Sequence, residues 1–177
     1  RLDGDSYETV RAFKTGAYSE HLITWPELGS LIQSDTAGST KVGRGLTVKY
    51  CLATELGSWD EATADSTISA VEASMPENSR FVIESTANGA QGAYYRRYQD
   101  AKNHASTSKA HFYGWWWDDE YKRHTKGIDY TEEEEQLVLQ ENLKQEQIAF
   151  RRELQLALKD KFPQEYAEND ISAFTAC

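Results

Sequence analysis

The sequence has few cysteines and no long apolar run. Its 177 residues include 2 cysteines, Cys51 inside an apolar segment and Cys177 at the last position. This usage indicates a buried thiol and a terminal one, and it argues against a disulfide framework and a secreted origin. No apolar stretch approaches the roughly eighteen residues of a membrane span, and the first residues lack the order of a signal peptide. We therefore expect a soluble, cytoplasmic chain.

Basic residues are also scarce. The chain has 19 Lys and Arg residues against 29 Asp and Glu residues, which gives a formal net charge of −10. The molecule as a whole repels nucleic acid, so any contact with DNA would need a local basic patch. The simplest interpretation of the acidic excess is a well-solvated surface.

A phosphate loop of the form Gly-x-x-x-x-Gly-Lys-Ser/Thr is missing from the sequence. Gly38 and Gly43 have the right spacing, but Arg44 and Gly45 stand where the lysine and the hydroxyl residue are required. This stretch is therefore interpreted as a glycine-rich loop. Arg44 stays a candidate for a charge-neutralising finger on a triphosphate, because it lies between glycines ahead of Glu55.

Apolar runs alternate with helical patterns through residues 1–130. This alternation predicts parallel strand pairing and a layered α/β fold. The length suits one domain. Since the sequence does not begin with Met and stops directly after an apolar segment, we expect a piece of a longer protein. The predicted strands are 28–35, 48–53, 81–84 and 110–115, and the predicted helices are 59–75 and 92–102.

The last third of the chain, residues 131–177, has a helical character. Thr131 followed by Glu134 has the form of a capping box, with further acids at the positive end of the helix dipole. A second helix is predicted over residues 143–159, where apolar residues recur close to i, i+4 spacing. The run Glu132 to Glu135 could suggest a metal site, but four consecutive side chains spread around a helix. We expect a C-terminal helical subdomain with no directly bound metal.

Two of the predicted strands end in polar residues. Thr54 and Glu55 follow strand 48–53, and Ser85, Thr86 and Asn88 follow strand 81–84. Open α/β sheets place their chemistry at the carboxyl ends of strands. Thr54 could hold the water shell of magnesium, and Glu55 could orient an attacking water, as phosphoryl transfer requires. The alternatives are a solvated strand edge and an ordinary strand-to-helix turn.

Three consecutive tryptophans, 115–117, precede the acidic residues 118–120. Together they suggest either a stacking platform or a carboxylate cluster. Alternation along a strand would point Trp116 away from its two neighbours, so at least one ring is expected in the core. The acids are interpreted as a loop and a helix start. Two-metal nucleases need converging carboxylates, so we expect this chain not to cut DNA. Because the net charge of −10 opposes contacts to phosphates, we also expect it not to bind DNA strongly.

Short motifs follow one another in a fixed order over residues 28–176. They are Thr54-Glu55, Ile83-Glu84-Ser85-Thr86-Ala87-Asn88-Gly89, Tyr94-Tyr95, Phe112-Tyr113-Gly114-Trp115-Trp116 with Glu120-Tyr121, Gln147-Ile148-Ala149-Phe150-Arg151-Arg152, Phe162-Pro163-Gln164-Glu165-Tyr166 and Ala173-Phe174. Each motif alone is modest, whereas the series is specific. In this series the chain resembles the large terminase subunit of tailed bacteriophages.

The resemblance implies an ATPase of the additional-strand, catalytic-glutamate class of P-loop NTPases. Members of that family pump double-stranded viral DNA through a portal protein into an empty capsid, and a nuclease domain follows the ATPase domain. The implied partners are therefore the viral DNA, the portal protein, the small terminase subunit and further copies in a ring, with no membrane. The implied location is the host cytoplasm, docked on the procapsid portal during packaging.

The resemblance also implies roles for single residues. Glu55 resembles the catalytic glutamate of the Walker B motif, and Thr54 stands where many relatives have Asp. Arg44 resembles the arginine that acts in trans on the nucleotide of a neighbouring subunit. The residues that match the coupling motif, which links hydrolysis to domain movement, are Ser85, Thr86 and Asn88.

Three departures from the family pattern bear on these roles. The Walker A loop is missing, Lys144 stands where a capping Ser or Thr is usual, and Ala167 replaces an expected Pro. ATP and Mg²⁺ are implied for the full-length protein, and neither is expected to bind these 177 residues alone. The alternative function is a domain of terminase descent that binds portal, capsid or DNA without hydrolysing anything.

Overall fold

The computed structural model of the chain describes residues 14–38, 42–43 and 45–175. An antiparallel hairpin comes first: strand β1 (Leu22–Trp25) pairs with strand β2 (Ser30–Gln33). The turn between them begins at Pro26 and ends at Gly29, whose φ of 60° is left-handed. So short a turn can join only antiparallel strands. The predicted strand 28–35 is therefore present as β2, but its expected parallel pairing is wrong, and β1 was not predicted.

A two-stranded parallel sheet follows, built from β3 (Tyr50–Ala53) and β4 (Arg80–Ile83). Helix α1 (Glu61–Ala73) connects the two strands, and its N-cap Asp60 accepts a hydrogen bond from the backbone N–H of Ala62. A connection of this length that contains a helix allows parallel pairing. Both strands and the helix were predicted, with bounds that differ by a few residues. The predicted α/β class with a parallel sheet is confirmed for these elements.

Among the described residues, only one face of the parallel sheet is packed. Because side chains alternate along a strand, Ala53, Phe81 and Ile83 turn towards α1, where Ile68 is fully buried. Half-buried Cys51 lies on the same strand as Ala53, and burial raises the pKa of its thiol. On the opposite face the exposed large apolar side chains are Tyr50, Leu52 and Val82.

Helix α2 (Gly92–Lys102) has the predicted bounds, but the predicted strand 110–115 is absent from the structure. A strand needs a hydrogen-bonded neighbour, and within the described ranges residues 110–113 form no hydrogen bonds between backbone groups. The chain enters a 3₁₀ turn at Trp115–Trp117 instead. This turn buries Trp115 and leaves Trp117 70% exposed. One ring is therefore in the core, as expected, although strand alternation is the wrong reason.

The remaining helices are α3 (Glu132–Glu141), α4 (Gln145–Leu158), α5 (Phe162–Glu165) and α6 (Asp170–Thr175). The predicted capping box is confirmed: the Thr131 hydroxyl accepts from the N–H of Glu134, whose carboxylate accepts from the N–H of Thr131. At the start of α4 the Lys144 side chain cannot accept a hydrogen bond, and Gln147 Oε1 accepts from the Lys144 N–H. No described helix is both long and apolar enough to cross a membrane.

Two arginines of α4 form ion pairs with α3 and with the segment before α6. Arg151, which is 4% exposed, donates to both carboxylate oxygens of Glu168 and also pairs with Glu133. Arg152 donates to both carboxylate oxygens of buried Glu134. These hydrogen bonds, the first cause of the shift, lower the pKa of Glu134 to about 2. Two acids of the run 132–135, Glu133 and Glu134, thus serve capping and ion pairing.

Replacement of the N-cap should weaken α3. Thr131→Ala removes the hydroxyl that accepts from the Glu134 N–H, and we expect the free energy of unfolding to fall by about 1 kcal/mol. Thr131→Ser keeps the hydroxyl and should stay within about 0.5 kcal/mol of the parent. Urea unfolding of the three proteins measures both differences. Equal loss in the two variants would show that the threonine methyl group, and not the cap, is responsible.

Candidate functional site

The ends of β3 and β4 bring two polar segments to one edge of the sheet. The register pairs Ala53 with Ile83, so the residues that follow each strand become neighbours. The N–H of Glu84 donates to the carbonyl of Ala53 over 3.0 Å, and the N–H of Leu56 donates to the carbonyl of Glu84 over 3.4 Å. The predicted juxtaposition of residues 54–55 with residues 84–88 is therefore present.

The chain bends at Glu55, just after β3. Its backbone φ of 55° is left-handed, which is uncommon for a residue other than glycine. The next residue, Leu56, is only 2% exposed and packs in the core cluster beneath the sheet. Burial of Leu56 holds the bend in place and leaves the Glu55 side chain exposed.

Thr54 precedes this bend, and its side chain is exposed. Its backbone carbonyl accepts a hydrogen bond from the indole Nε1 of Trp59 over 2.9 Å. Trp59 packs against the same core cluster as Leu56. The end of β3 is therefore held by one indole and one buried leucine.

The segment after β4 is hydrogen-bonded to the turn that follows Glu55. The N–H of Gly57 donates to the Ser85 hydroxyl over 3.0 Å, and Asn88 Nδ2 donates to the carbonyl of Gly57 over 2.9 Å. Ser85 and Asn88 thus satisfy the donor and the acceptor of a single residue. Two of the three predicted coupling residues therefore contact the turn that begins at Glu55, the predicted catalytic residue. We call residues 55–58 the Glu55 turn.

Gly57 is a site residue that the sequence analysis missed. A Cβ atom at this position would lie 2.9 Å from the Ser85 hydroxyl and 2.9 Å from the carbonyl oxygen of Thr86. Real Cβ atoms do not approach a backbone oxygen so closely. A glycine two residues after Glu55 was the available signal, but only the fold shows what it must accommodate.

Thr86, the third predicted coupling residue, has an exposed side chain and contributes its carbonyl to this crowding. Tyr94 on α2 holds the same segment, because its hydroxyl donates to the carbonyl of Ser85 over 3.0 Å. Burial raises the pKa of Tyr94, and the negative charges of Glu84 and Glu55 raise it further, against the opposing hydrogen bond to Ser85. The hydroxyl therefore stays a donor at neutral pH.

Arg44, the predicted trans-acting arginine, lies outside the described residues. Its predecessor Gly43 is buried, and a Cβ atom there would lie 3.2 Å from Val71 Cα, near the C-terminal end of α1. The Glu55 turn precedes the N-terminal end of the same helix. About ten residues of helix correspond to roughly 15 Å, so Gly43 and the Glu55 turn are at opposite ends of α1.

No group of three His, Cys, Asp or Glu side chains that could hold a metal is present among the described residues. The acids 118–120 form a turn: Asp118 Oδ1 accepts from the Glu120 N–H, and Asp119 pairs with Lys122 at 2.8 Å. The hydrogen bond from Lys122 lowers the pKa of Asp119. The loop interpretation of these acids is confirmed, but the expected helix start is wrong, because no helix begins between residues 118 and 131.

A cavity of about 930 Å³ is lined by β4 and by no residue of β3. Phe81 and Ile83 of β4 line it. Residues 85–87 of the coupling segment, which we define as residues 85–88, also line it. Phe112 and Tyr113, from the segment that was predicted to be a strand, also line it. The cavity and the polar strand ends therefore share the coupling segment as a common boundary.

Comparisons of the chain with protein-family models, with curated proteins and with solved structures found no match.

A methyl group at position 57 should disturb this edge. In Gly57→Ala the new Cβ would meet a backbone carbonyl, and we expect the free energy of unfolding to fall by about 1–3 kcal/mol. Ser58→Ala, at the next and exposed position, should change it by less than about 0.5 kcal/mol. Urea unfolding gives both values. If Gly57→Ala has the same free energy of unfolding as the parent, the turn can adjust to the new Cβ atom, and the close contact does not constrain this position.

Proposed function

We propose that this chain contains the catalytic glutamate and the coupling motif of a large terminase subunit. In the whole protein the fold is that of a P-loop NTPase of the additional-strand, catalytic-glutamate class. ATP hydrolysis then drives double-stranded viral DNA through the portal protein into the procapsid. The small terminase subunit and further copies arranged in a ring complete the motor.

One observation carries this proposal, namely the hydrogen bonds that join Ser85 and Asn88 to Gly57. A packaging motor must pass a change at its catalytic residue to a moving part. Here the segment with the predicted coupling residues is bonded directly to the turn that begins at Glu55. An ordinary strand-to-helix turn after β4 would not need to bond both the N–H and the carbonyl of Gly57, a residue in the turn after β3.

The side chains at the ends of β3 and β4 are of the types that ATP hydrolysis with Mg²⁺ requires. No ion pair engages the Glu55 carboxylate in the described part of the chain, so it is free to orient a water and to accept its proton. The exposed Thr54 hydroxyl can hydrogen-bond a metal-bound water. Mg²⁺, when bound, would neutralise charge on the phosphates. Cradling the phosphates would fall to a loop that is not among the 177 residues.

The free edge of β4 gives further support. The N–H groups of Arg80 and Glu84 donate to the carbonyls of Lys49 and Ala53, so those of Phe81 and Ile83 point the other way. Both residues line the 930 Å³ cavity, and the described residues supply no backbone partner for their N–H groups. A further strand that leads into a phosphate loop could pair with these N–H groups and pack against the apolar side chains that line the cavity.

The absence of a phosphate loop from residues 1–177 favours a second candidate function. In that case a domain of terminase descent binds portal, capsid or DNA without hydrolysis. The exposed apolar side chains Tyr50, Leu52 and Val82 could then contribute to contacts with another protein. The two candidates differ in one measurable property, which is ATP turnover by a protein that joins this chain to a phosphate loop.

Glu55→Gln tests the proposed catalytic role in such a protein. The amide cannot take a proton from water, so we expect turnover to fall by about 10²–10⁴-fold while the affinity for Mg²⁺-ATP is retained. Glu77→Gln, an exposed position in the turn before β4, should keep the parent rate. Phosphate release and calorimetry measure the two properties. Parent-like turnover of Glu55→Gln would make Glu55 an ordinary strand end.

Arg44 is expected to act across a subunit boundary. Arg44→Ala alone should lower turnover of the assembled protein by about 10³–10⁵-fold, the usual worth of an arginine finger. A mixture of Arg44→Ala and Glu55→Gln subunits should recover part of the activity, because a junction can form between an intact Glu55 and an intact Arg44. No recovery in mixtures that are shown to co-assemble would assign Arg44 to its own subunit's nucleotide or to a structural role.

A further inference from the structure

The coupling segment is also bonded to the C-terminal helices. Gln164, in α5, donates from Nε2 to the backbone carbonyl of Ala87 over 2.9 Å. Ala87 is 6% exposed and lies between Thr86 and Asn88. In the described part of residues 131–175, Gln164 is the one side chain with a hydrogen bond to the segment 85–88.

The other contacts of these helices in this region are apolar contacts and contacts to α2, and Ala87 itself lies in one buried cluster with Ala173 and Phe174 of α6. Phe174 packs against three α2 tyrosines, with ring centroids 5.0 Å apart for Tyr95 and 5.3 Å apart for Tyr98. Asp170 accepts a hydrogen bond from Tyr98 and pairs with Lys102. These contacts dock α6 on α2. Gln164 is different, because it makes a directional hydrogen bond to the backbone of the coupling segment.

The Gly57 contact and the Gln164 contact are covalently connected. The carbonyl of Ala87 and the N–H of Asn88 belong to one planar peptide unit. A shift of Asn88, whose side chain holds Gly57, therefore turns the carbonyl that Gln164 binds. Conversely, a displacement of α5 pulls on the segment that holds the Glu55 turn.

We propose that Gln164 is a positioning residue that couples the Glu55 turn to the C-terminal helices through the peptide between Ala87 and Asn88. The inference rests on the function proposed above, because it assigns the path by which a change near Glu55 reaches another part of the protein. Gln164 touches neither substrate nor reacting atoms. Its action is to keep the coupling segment in register with α5.

The first experiment uses the 177-residue chain and the amide of Gly57, which Gln164 does not contact. Gln164→Glu keeps the shape of the side chain and removes the N–H donor, whereas Gln164→Leu removes all hydrogen bonding. In both variants we expect hydrogen exchange of the Gly57 amide to accelerate by about fivefold or more. Gln140→Leu, at an exposed position of α3, should leave it unchanged.

Two results of this experiment would overturn the inference. One is an unchanged Gly57 exchange rate in both Gln164 variants. The other is an equal acceleration at Gly57 and at amides in the middle of α1, such as Ile68, which would show general destabilisation and no specific path. Because no nucleotide is present, the outcome does not depend on whether the chain belongs to an ATPase.

The second experiment uses a protein that joins the chain to a phosphate loop and packages DNA. Gln164→Glu should keep ATP turnover within about twofold of the parent while the DNA length moved per ATP falls by about fivefold or more. Loss of turnover and movement in the same proportion would place Gln164 in the chemistry and overturn a coupling role. A parent protein without any ATP turnover would refute the proposed function, independently of the exchange result.

Discussion

The contact between Gly57 and the segment after β4 is the constraint on which the rest of this edge depends. It requires the parallel register of β3 and β4, since only that register brings the ends of both strands together. It also requires the absence of a side chain at position 57. Once Ser85 and Asn88 occupy the donor and the acceptor of Gly57, the bend at Glu55 is fixed from two sides, by those hydrogen bonds and by buried Leu56. The exposed carboxylate then projects from a rigid support.

The C-terminal helices have a different kind of support. Their centre is an ion network, in which Arg151 is bound to Glu168 and Glu133 while Arg152 is bound to Glu134. Carboxylates that satisfy the guanidinium hydrogen bonds of Arg151 offset the cost of burying its charge. A network of this kind holds its helices in one arrangement. The helices of such a rigid unit can move together when Gln164 is displaced.

The sequence predicted the elements that have a local signal. The capping box of α3 and the bounds of α2 were predicted correctly, because hydrogen bonds within a few residues and helical periodicity determine them. The strand 110–115 was predicted wrongly, because a strand depends on a partner that a local pattern does not contain. The hairpin strand β1 was missed for a related reason: it is short, and its pairing depends on the turn from Pro26 to Gly29.

For the candidate site, the sequence by itself determined which chemical groups follow each strand: a hydroxyl and a carboxylate after β3, and hydroxyls and an amide after β4. It also determined that a phosphate loop is missing from these residues. The tertiary structure alone decided that Ser85 and Asn88 bind Gly57, and that Gln164 binds Ala87. The reason is physical. These hydrogen bonds join residues separated by 28 to 77 positions, and their geometry depends on strand register and helix docking, which no local sequence pattern specifies.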